Sequence, residues 1–230
     1  MFKGSFARYL FIQVSPTPNP RCLMLAIPVP HLLLPKASRS VEVRRQILPS
    51  GADHGSSSSS PRPTPSLLGS RILEAAEGVV GVMVSQQFVT IERDEVAPEE
   101  AWEAIRAATM AVLMDYVLSG EAERVVQRAI EVSAAKELNN GDDSAAAQDV
   151  VEGLIAHIVE TIVRPLILRD GGDITVKGFS HDTGRLEVAL HGACRKCPDR
   201  PNTLQASVER VLRHYVPEVT QIVDMSVGSR

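Results

Sequence analysis

The sequence predicts an α+β protein built from two small domains. Two polar, low-complexity breaks divide the 230 residues, one over about 36–66 and one around 139–143. On both sides of the second break, short runs of alternating apolar residues stand beside stretches with helical apolar spacing. The chain is long enough for two modest cores, and this mixture of patterns is typical of helices packed on small sheets.

Composition narrows the classes of function. The formal net charge is −4 and aromatic residues make up 4% of the chain, so we expect neither a basic surface nor a stacking platform for nucleic acid. No apolar run approaches the ~20 residues that a membrane-spanning helix needs. Three cysteines are too few for a disulfide framework, which favours a reducing compartment. We therefore expect no nucleic-acid partner and no membrane.

The first ten residues resemble a targeting peptide. Residues 1–10 combine Lys3 and Arg8 with apolar residues such as Phe6, and no acidic residue comes before Glu42. Such a basic, acid-free start is typical of organelle targeting, and we interpret it as a short targeting segment. A basic start without any targeting role explains the same residues equally well.

We place the first domain over residues 11–120. Residues 11–27 are predicted to be extended and to supply strands. In the break over 36–66 a serine run precedes three prolines, and we interpret it as a disordered insertion because it buries too little apolar surface to order itself. The remaining pattern predicts a short helix, a hairpin and a longer helix, marked by Leu67–Leu73, Val80–Ile91 and Pro98–Gly120.

Residues 121–143 form a predicted linker, and the second domain is predicted over residues 144–226, with Ser144 as a helix N-cap. The turn at Asp170–Asp173 ends its first helix, in which we expect strain near Pro165. The apolar stripe of that helix is Val151, Leu154, Ile155, Ile158 and Ile162. A hairpin, a second helix and a short third strand follow, marked by Ile174–Leu190, Leu204–Tyr215 and Val219–Asp224.

A pair of cysteines is the main candidate site. Cys194 and Cys197 stand three positions apart, between the end of a predicted strand and the start of a predicted helix. The positive end of the helix dipole, together with Arg195 and Lys196, favours the thiolate form, which binds metals and attacks disulfides. The spacing lets both sulfurs face one point, so we interpret the pair as reactive.

Three chemistries use such a pair. A dithiol–disulfide oxidoreductase cycles it between thiol and disulfide. A zinc-stabilised interaction module needs two further ligands, for which His181 and His191 are candidates, although each has an ordinary explanation in a turn or on a strand surface. An iron–sulfur cluster commonly takes four thiolates, which two identical chains supply about a two-fold axis. The spacing alone does not choose between them.

The longer motifs resemble a known family. In the second domain these are R-P-L-I-L-R-D-G-G-D-I, K-G-F, G-A-C-R-K-C-P and Y-V-P-E-V. In the first they are F-I-Q-V-S-P-T-P-N-P, E-G-V-V-G-V-M-V-S-Q-Q-F-V-T-I and M-D-Y-V-L-S-G. In this order they resemble the Nfu iron–sulfur proteins, with an Nfu N-terminal domain over 11–120 and a NifU-like domain over 144–226.

The resemblance implies a carrier and not an enzyme. Members of this family bind a [4Fe–4S] cluster between the two subunits of a homodimer and pass it to apo client proteins, after receiving it from upstream assembly proteins. The family's cofactor and metal ligands fall on Cys194 and Cys197, whereas Cys22 falls where no ligand is needed and is interpreted as a packed thiol. The implied compartment is the mitochondrion, with plastid or cytosol as alternatives.

One segment departs from the family pattern. The family often has two small hydroxyl residues after C-x-x-C-P, whereas this chain has Asp199, Arg200 and Pro201. Proline suits the first turn of a helix, where its missing N–H costs nothing. The carboxylate of Asp199 places a negative charge beside the sulfurs, so we expect it to alter the stability of a bound cluster.

Overall fold

The predicted α+β class is confirmed by the computed structural model, which describes residues 11–27, 33–34, 39–45, 65–122, 124–125, 127, 150–195 and 204–226. The described residues form two compact units, the first drawn from residues 1–14 and 25–132 and the second from 15–24 and 133–230. Ser144 and the hinge at 139–143 lie outside the described residues. The predicted domain boundaries therefore stay predictions.

A five-stranded sheet with the order β1-β2-β5-β4-β3 carries the predicted hairpin. Its strands are β1 (Gln13–Pro16), β2 (Cys22–Ala26), β3 (Val41–Arg44), β4 (Val79–Val84) and β5 (Phe88–Arg93). Helices α1 (Pro65–Ala75) and α2 (Ala101–Leu118) pack against each other, and α1 also contacts β3 and β4. Beyond the end of α2, Gly120 has a φ of +70°, as expected for a glycine that ends a helix.

Strand β3 corrects the interpretation of residues 36–66 as a disordered insertion. Residues 41–44 pair antiparallel with β4, with Val41 opposite Val84 and Val43 opposite Val82. Arg44 bonds to Glu42 and Glu92 at 2.9 and 2.6 Å. Four residues suffice because the ladder to β4 and the ion pair with Glu92 are supplied by distant parts of the chain. Residues 46–64 lie outside the described residues.

The second unit contains a three-stranded sheet with the order β6-β7-β8. Strands β6 (Gly172–Ser180) and β7 (Arg185–Gly192) form the predicted hairpin, and β8 (Gln221–Asp224) lies parallel to β7. Gly184, with a φ of +63°, stands in the predicted turn between β6 and β7. The parallel pair requires a crossover, which contains helix α5 (Leu204–Tyr215).

The first helical stretch of this unit is interrupted before the proline. It consists of α3 (Val150–Ile158), a π-helical segment (Val159–Val163) and α4 (Arg164–Arg169). Pro165 stands in the first turn of α4, where proline is tolerated, and the wider π turn before it changes the helical register. A π segment therefore precedes the proline, the residues around it keep ordinary helical angles, and the helical stretch ends at the predicted turn.

The core of the second unit lies between these helices and the sheet. Ile155 and Ile158 of α3 are buried there with residues of α4, α5 and all three strands. Two residues predicted on apolar stripes are exposed instead, Leu154 by 40% and Tyr215 by 48%. Both lie at the margin of a stripe that is narrower than the sequence pattern indicates. Among the described residues, no helix is both long and apolar enough to span a bilayer.

Candidate metal centre

The cysteine motif begins where the β6–β7 hairpin ends. Gly172 and Gly192 face each other at the last register position of the two strands, and Gly192 has a φ of +59° that turns the chain out of β7. Two backbone hydrogen bonds fix the following residues, from the Ala193 amide to the Gly171 carbonyl and from the Arg195 amide to the Gly192 carbonyl, both at 3.1 Å. We call residues 193–195 the Cys194 loop.

Cys194 is buried in this loop. Its residue is 5% exposed and belongs to the hydrophobic core of the second unit. A Cβ built on Gly172 would overlap the sulfur of Cys194 and lie 3.1 Å from Cγ2 of Ile167, so the thiol packs directly over the glycine backbone. The placement after a strand agrees with the sequence prediction, whereas the depth of burial was not predicted. Cys197 lies outside the described residues.

The D-G-G-D turn is hydrogen-bonded to the Cys194 loop. It ends α4, since the amides of Asp170 and Gly171 bond to the carbonyls of Ile167 and Leu168, both at 3.1 Å. This confirms its interpretation as a helix stop that leads into a strand. The Gly171 carbonyl then accepts the bond from the Ala193 amide. The turn and the Cys194 loop are therefore one connected backbone structure.

A partly buried ion pair follows the turn and was not predicted. Arg164 donates from Nε and Nη2 to the two carboxylate oxygens of Asp173 at 2.8 and 3.1 Å. Asp173 is 1% exposed and also accepts a bond from the Ile174 amide at 2.8 Å. The hydrogen bond to Asp173 raises the pKa of Arg164 above its ordinary value. Glu160 adds a second acceptor for Arg164 at 3.2 Å.

Asn19, from the turn between β1 and β2, also contacts the loop. Its side-chain Nδ2 donates to the Ala193 carbonyl at 3.2 Å and lies 3.5 Å from the Arg195 carbonyl. Asn19 is 1% exposed and, with residues 15–24, belongs to the second unit. Sequence reasoning missed this residue, although it stands inside the motif F-I-Q-V-S-P-T-P-N-P.

The other proposed ligands have local partners. His191 lies 3.3 Å from the hydroxyl of Thr175, and His181 lies 3.6 Å from a carboxylate oxygen of Glu152, with its ring at right angles to that of Phe179. Within the described parts of the chain, no three His, Cys, Asp or Glu side chains stand close enough to hold a metal ion. Cys22 is 3% exposed in β2, in agreement with a packed thiol.

Two family models match most of the chain. Residues 12–120 match the family described as scaffold protein Nfu/NifU N terminal. Residues 155–223, which include both cysteines of the motif, match the NifU-like domain. The chain is also similar to a solved structure of a NifU-like protein from Saccharomyces cerevisiae, at 20% identity and a TM-score of 0.37, with 53% of this chain and 88% of that one covered.

Named relatives align over nearly the whole chain. NifU-like protein 5, mitochondrial, of Arabidopsis thaliana is 32% identical across 92% of this chain and 66% of its own length. NifU-like protein 4, mitochondrial, of the same plant is 30% identical across 95% and 67%. The human NFU1 iron-sulfur cluster scaffold homolog, mitochondrial, is 29% identical across 92% and 70%. The chain thus spans about two thirds of these relatives, and their names confirm the predicted mitochondrial compartment.

Proposed function

Because the chain belongs to the NifU-like family, whose members include mitochondrial iron–sulfur cluster scaffolds, we propose that it carries clusters in iron–sulfur assembly. In detail, it binds a [4Fe–4S] cluster between two copies of itself and passes the cluster to recipient apoproteins. The cluster is cargo, so the chain acts as a carrier and catalyses no turnover of a small-molecule substrate.

The position of Cys194 is the observation that supports this proposal most directly. It stands directly after β7, inside the segment that matches the NifU-like domain, and Cys197 follows three residues later. Thiolates are the usual ligands of such clusters, and four are needed. The sequence has three cysteines, of which Cys22 lies in β2 and outside the C-x-x-C motif. Two chains that each contribute Cys194 and Cys197 complete the set through a two-fold axis.

Transfer to a recipient proceeds by exchange of ligands. A thiolate of the recipient forms a new iron–sulfur bond as the bond to Cys194 or Cys197 breaks, and no electrons are gained or lost. The released thiolate takes up a proton from water. The other partners are upstream assembly proteins, and we assign their recognition and that of recipients to the domain over residues 11–120.

Anaerobic reconstitution tests this function. The purified chain is incubated with ferrous iron and sulfide and then followed by visible absorption, Mössbauer spectroscopy and size-exclusion chromatography. We expect four irons and four sulfides per dimer, together with activation of an apoenzyme that requires a [4Fe–4S] cluster. A colourless monomer that reduces disulfides would support the oxidoreductase instead, and a colourless protein that retains zinc would support the interaction module.

Single substitutions assign the ligands. Cys194→Ala and Cys197→Ala should each abolish the visible absorption and the dimer together. The matched control is Cys22→Ala, which removes another buried thiol and should leave both unchanged. Loss of the cluster in the Cys22 variant would show that the ligand assignment is wrong.

A further inference from the structure

Asn19 begins a tight turn between β1 and β2. Its carbonyl accepts a bond from the Cys22 amide at 2.8 Å, with Pro20 at the second position of the turn, where its fixed φ is favourable. The hydroxyl of Thr17 lies 2.8 Å from the Asn19 carbonyl and 3.0 Å from the Cys22 carbonyl. The turn is therefore held by its own backbone and by Thr17.

The side chain of Asn19 has a defined orientation. Its Oδ1 accepts a bond from the Arg21 amide at 3.1 Å, which is the usual contact of an asparagine with its own turn. The amide N–H can only donate and the carbonyls of Ala193 and Arg195 can only accept, so the hydrogen-bond network places Nδ2 toward the Cys194 loop. An amide is suited to this position because it accepts on one side and donates on the other.

These contacts flank the buried thiol. The two carbonyls that face Nδ2 belong to the residues before and after Cys194, at 3.2 and 3.5 Å. The bond to Ala193 is buried, and a buried hydrogen bond is costly to leave unmade. With Cys194 itself 5% exposed, the loop is closed. A sulfur that binds a cluster shared by two chains must become accessible, so binding requires the loop to change.

We propose that Asn19 is a positioning residue that latches the Cys194 loop in its closed form through the Ala193 and Arg195 carbonyls, so that cluster uptake depends on release of this latch. The consequence for cluster uptake rests on the function proposed above, whereas the latch itself does not. A latch that stabilises the closed loop lowers the population of the open loop, and its loss raises that population.

Thiol alkylation of the metal-free chain tests the latch. The protein is reacted with iodoacetamide for increasing times and digested with trypsin. The sequence separates the three thiols, because cleavage at Arg21, Arg195 and Lys196 puts Cys22, Cys194 and Cys197 on different peptides. For Asn19→Ala we expect Cys194 to react about fivefold faster than in the wild type. This ratio corresponds to the free energy that is lost when one buried hydrogen bond is removed.

The matched control is Thr17→Val, which removes a hydroxyl from the same turn and leaves the Asn19 amide in place. It should alter the Cys194 rate less than twofold. Cys22 serves as an internal reference, since it lies in the same turn and β2. If Asn19→Ala accelerates Cys22 and Cys194 equally, the turn has unfolded and the positioning role is wrong. An unchanged Cys194 rate in Asn19→Ala overturns the latch as well.

Hydrogen exchange gives an independent readout on the folded chain. The amides of Ala193 and Arg195 should exchange faster in Asn19→Asp, which keeps the acceptor for Arg21 but cannot donate to the loop. Protection equal to that of the wild type would contradict the latch. If labelling and exchange change as expected but no variant assembles a cluster with iron and sulfide, the latch stands and the proposed function fails.

Discussion

The sulfur of Cys194 occupies the space in which a side chain on Gly172 would begin. A Cβ at Gly172 would overlap this sulfur and lie 3.0 Å from the Cβ of Cys194, closer than ordinary carbon contacts. Gly172 is paired with Gly192 across the sheet. The missing side chain of the first residue of β6 thus leaves the space that the sulfur of the proposed ligand occupies. The D-G-G-D turn therefore has a role beyond ending a helix.

The first prediction concerns the packing of Cys194 against Gly172. Gly172→Ala should push Cys194 out of its packed position and destabilise the protein by about 1–3 kcal/mol, the usual cost of overpacking a core. Urea unfolding measures the loss, and iodoacetamide labelling should show faster reaction of Cys194. Gly178→Ala on the same strand is the control, because a Cβ there meets nothing within 4 Å. Equal stability and equal labelling in the two variants would show that the space between Gly172 and Cys194 accommodates a methyl group.

Local patterns predicted most of the fold. The alternation in Ile174–Leu190 and the stripe of Leu204–Tyr215 correspond to β6, β7 and α5. These elements were predictable because the apolar pattern within each one shows which of its faces is buried. Strand β3 was missed because the contacts that hold it in place are made by β4 and Glu92, which lie far along the chain. Its own residues include two valines in a polar segment and indicate little by themselves.

The candidate site was predictable only in part. The spacing of Cys194 and Cys197 identified a reactive pair, since both are close in sequence, and the family resemblance implied their role as ligands. Asn19 lies 174 residues from Ala193, and no local pattern connects a turn asparagine with a distant loop. Arg164 and Asp173 are nine residues apart, and their pairing depends on a turn geometry that charge alone does not specify.

The second prediction concerns the Arg164–Asp173 pair. Asp173→Ala should destabilise the second unit by about 3 kcal/mol, because it leaves a largely buried guanidinium with Glu160 as its remaining carboxylate partner. Urea unfolding measures this loss. Glu209→Ala breaks an ion pair with Arg213 whose side chain is 51% exposed, and should cost less than about 0.5 kcal/mol. Equal losses in the two variants would mean that burial of the Arg164 pair has no energetic consequence.

The third prediction is a pH dependence in the first unit. Burial raises the pKa of Tyr116 to about 12, with Glu121 acting in the same direction and Arg71 against it. The unfolded chain loses this proton near pH 10 and the folded chain near pH 12. Between these values the unfolded state binds fewer protons, so stability falls as the pH rises, by at most about 1.4 kcal/mol per pH unit.

Tyr116→Phe isolates this contribution. The unfolding free energies of the variant and the wild type should diverge above pH 10, in favour of the variant. At neutral pH the variant should be equally stable or more stable, because the buried hydroxyl of Tyr116 has no hydrogen-bond partner among the described residues. Tyr215→Phe, which changes a ring that is 48% exposed, is the control. Parallel pH curves for the wild type and Tyr116→Phe would contradict the prediction.

The fourth prediction is that one substitution has opposite effects on two helices. At Gly153 in α3 a Cβ meets nothing within 4 Å, so Gly153→Ala should stabilise by about 0.5–1 kcal/mol through helix propensity. At Gly69 in α1 a Cβ would lie 2.9 Å from Cγ2 of Val43. Gly69→Ala should therefore destabilise by about 1–2 kcal/mol despite the same gain in propensity.

The source of the Gly69 effect is β3, and a double variant tests this. Val43→Ala removes the methyl groups that crowd Gly69, so combining it with Gly69→Ala should cost less than the sum of the two single losses, by about 1 kcal/mol. Thermal or urea unfolding of the four proteins gives this coupling. Additive losses would mean that Val43 is not the source of the crowding at Gly69. A coupling of the expected sign would demonstrate in solution that residues 41–44 are ordered against α1.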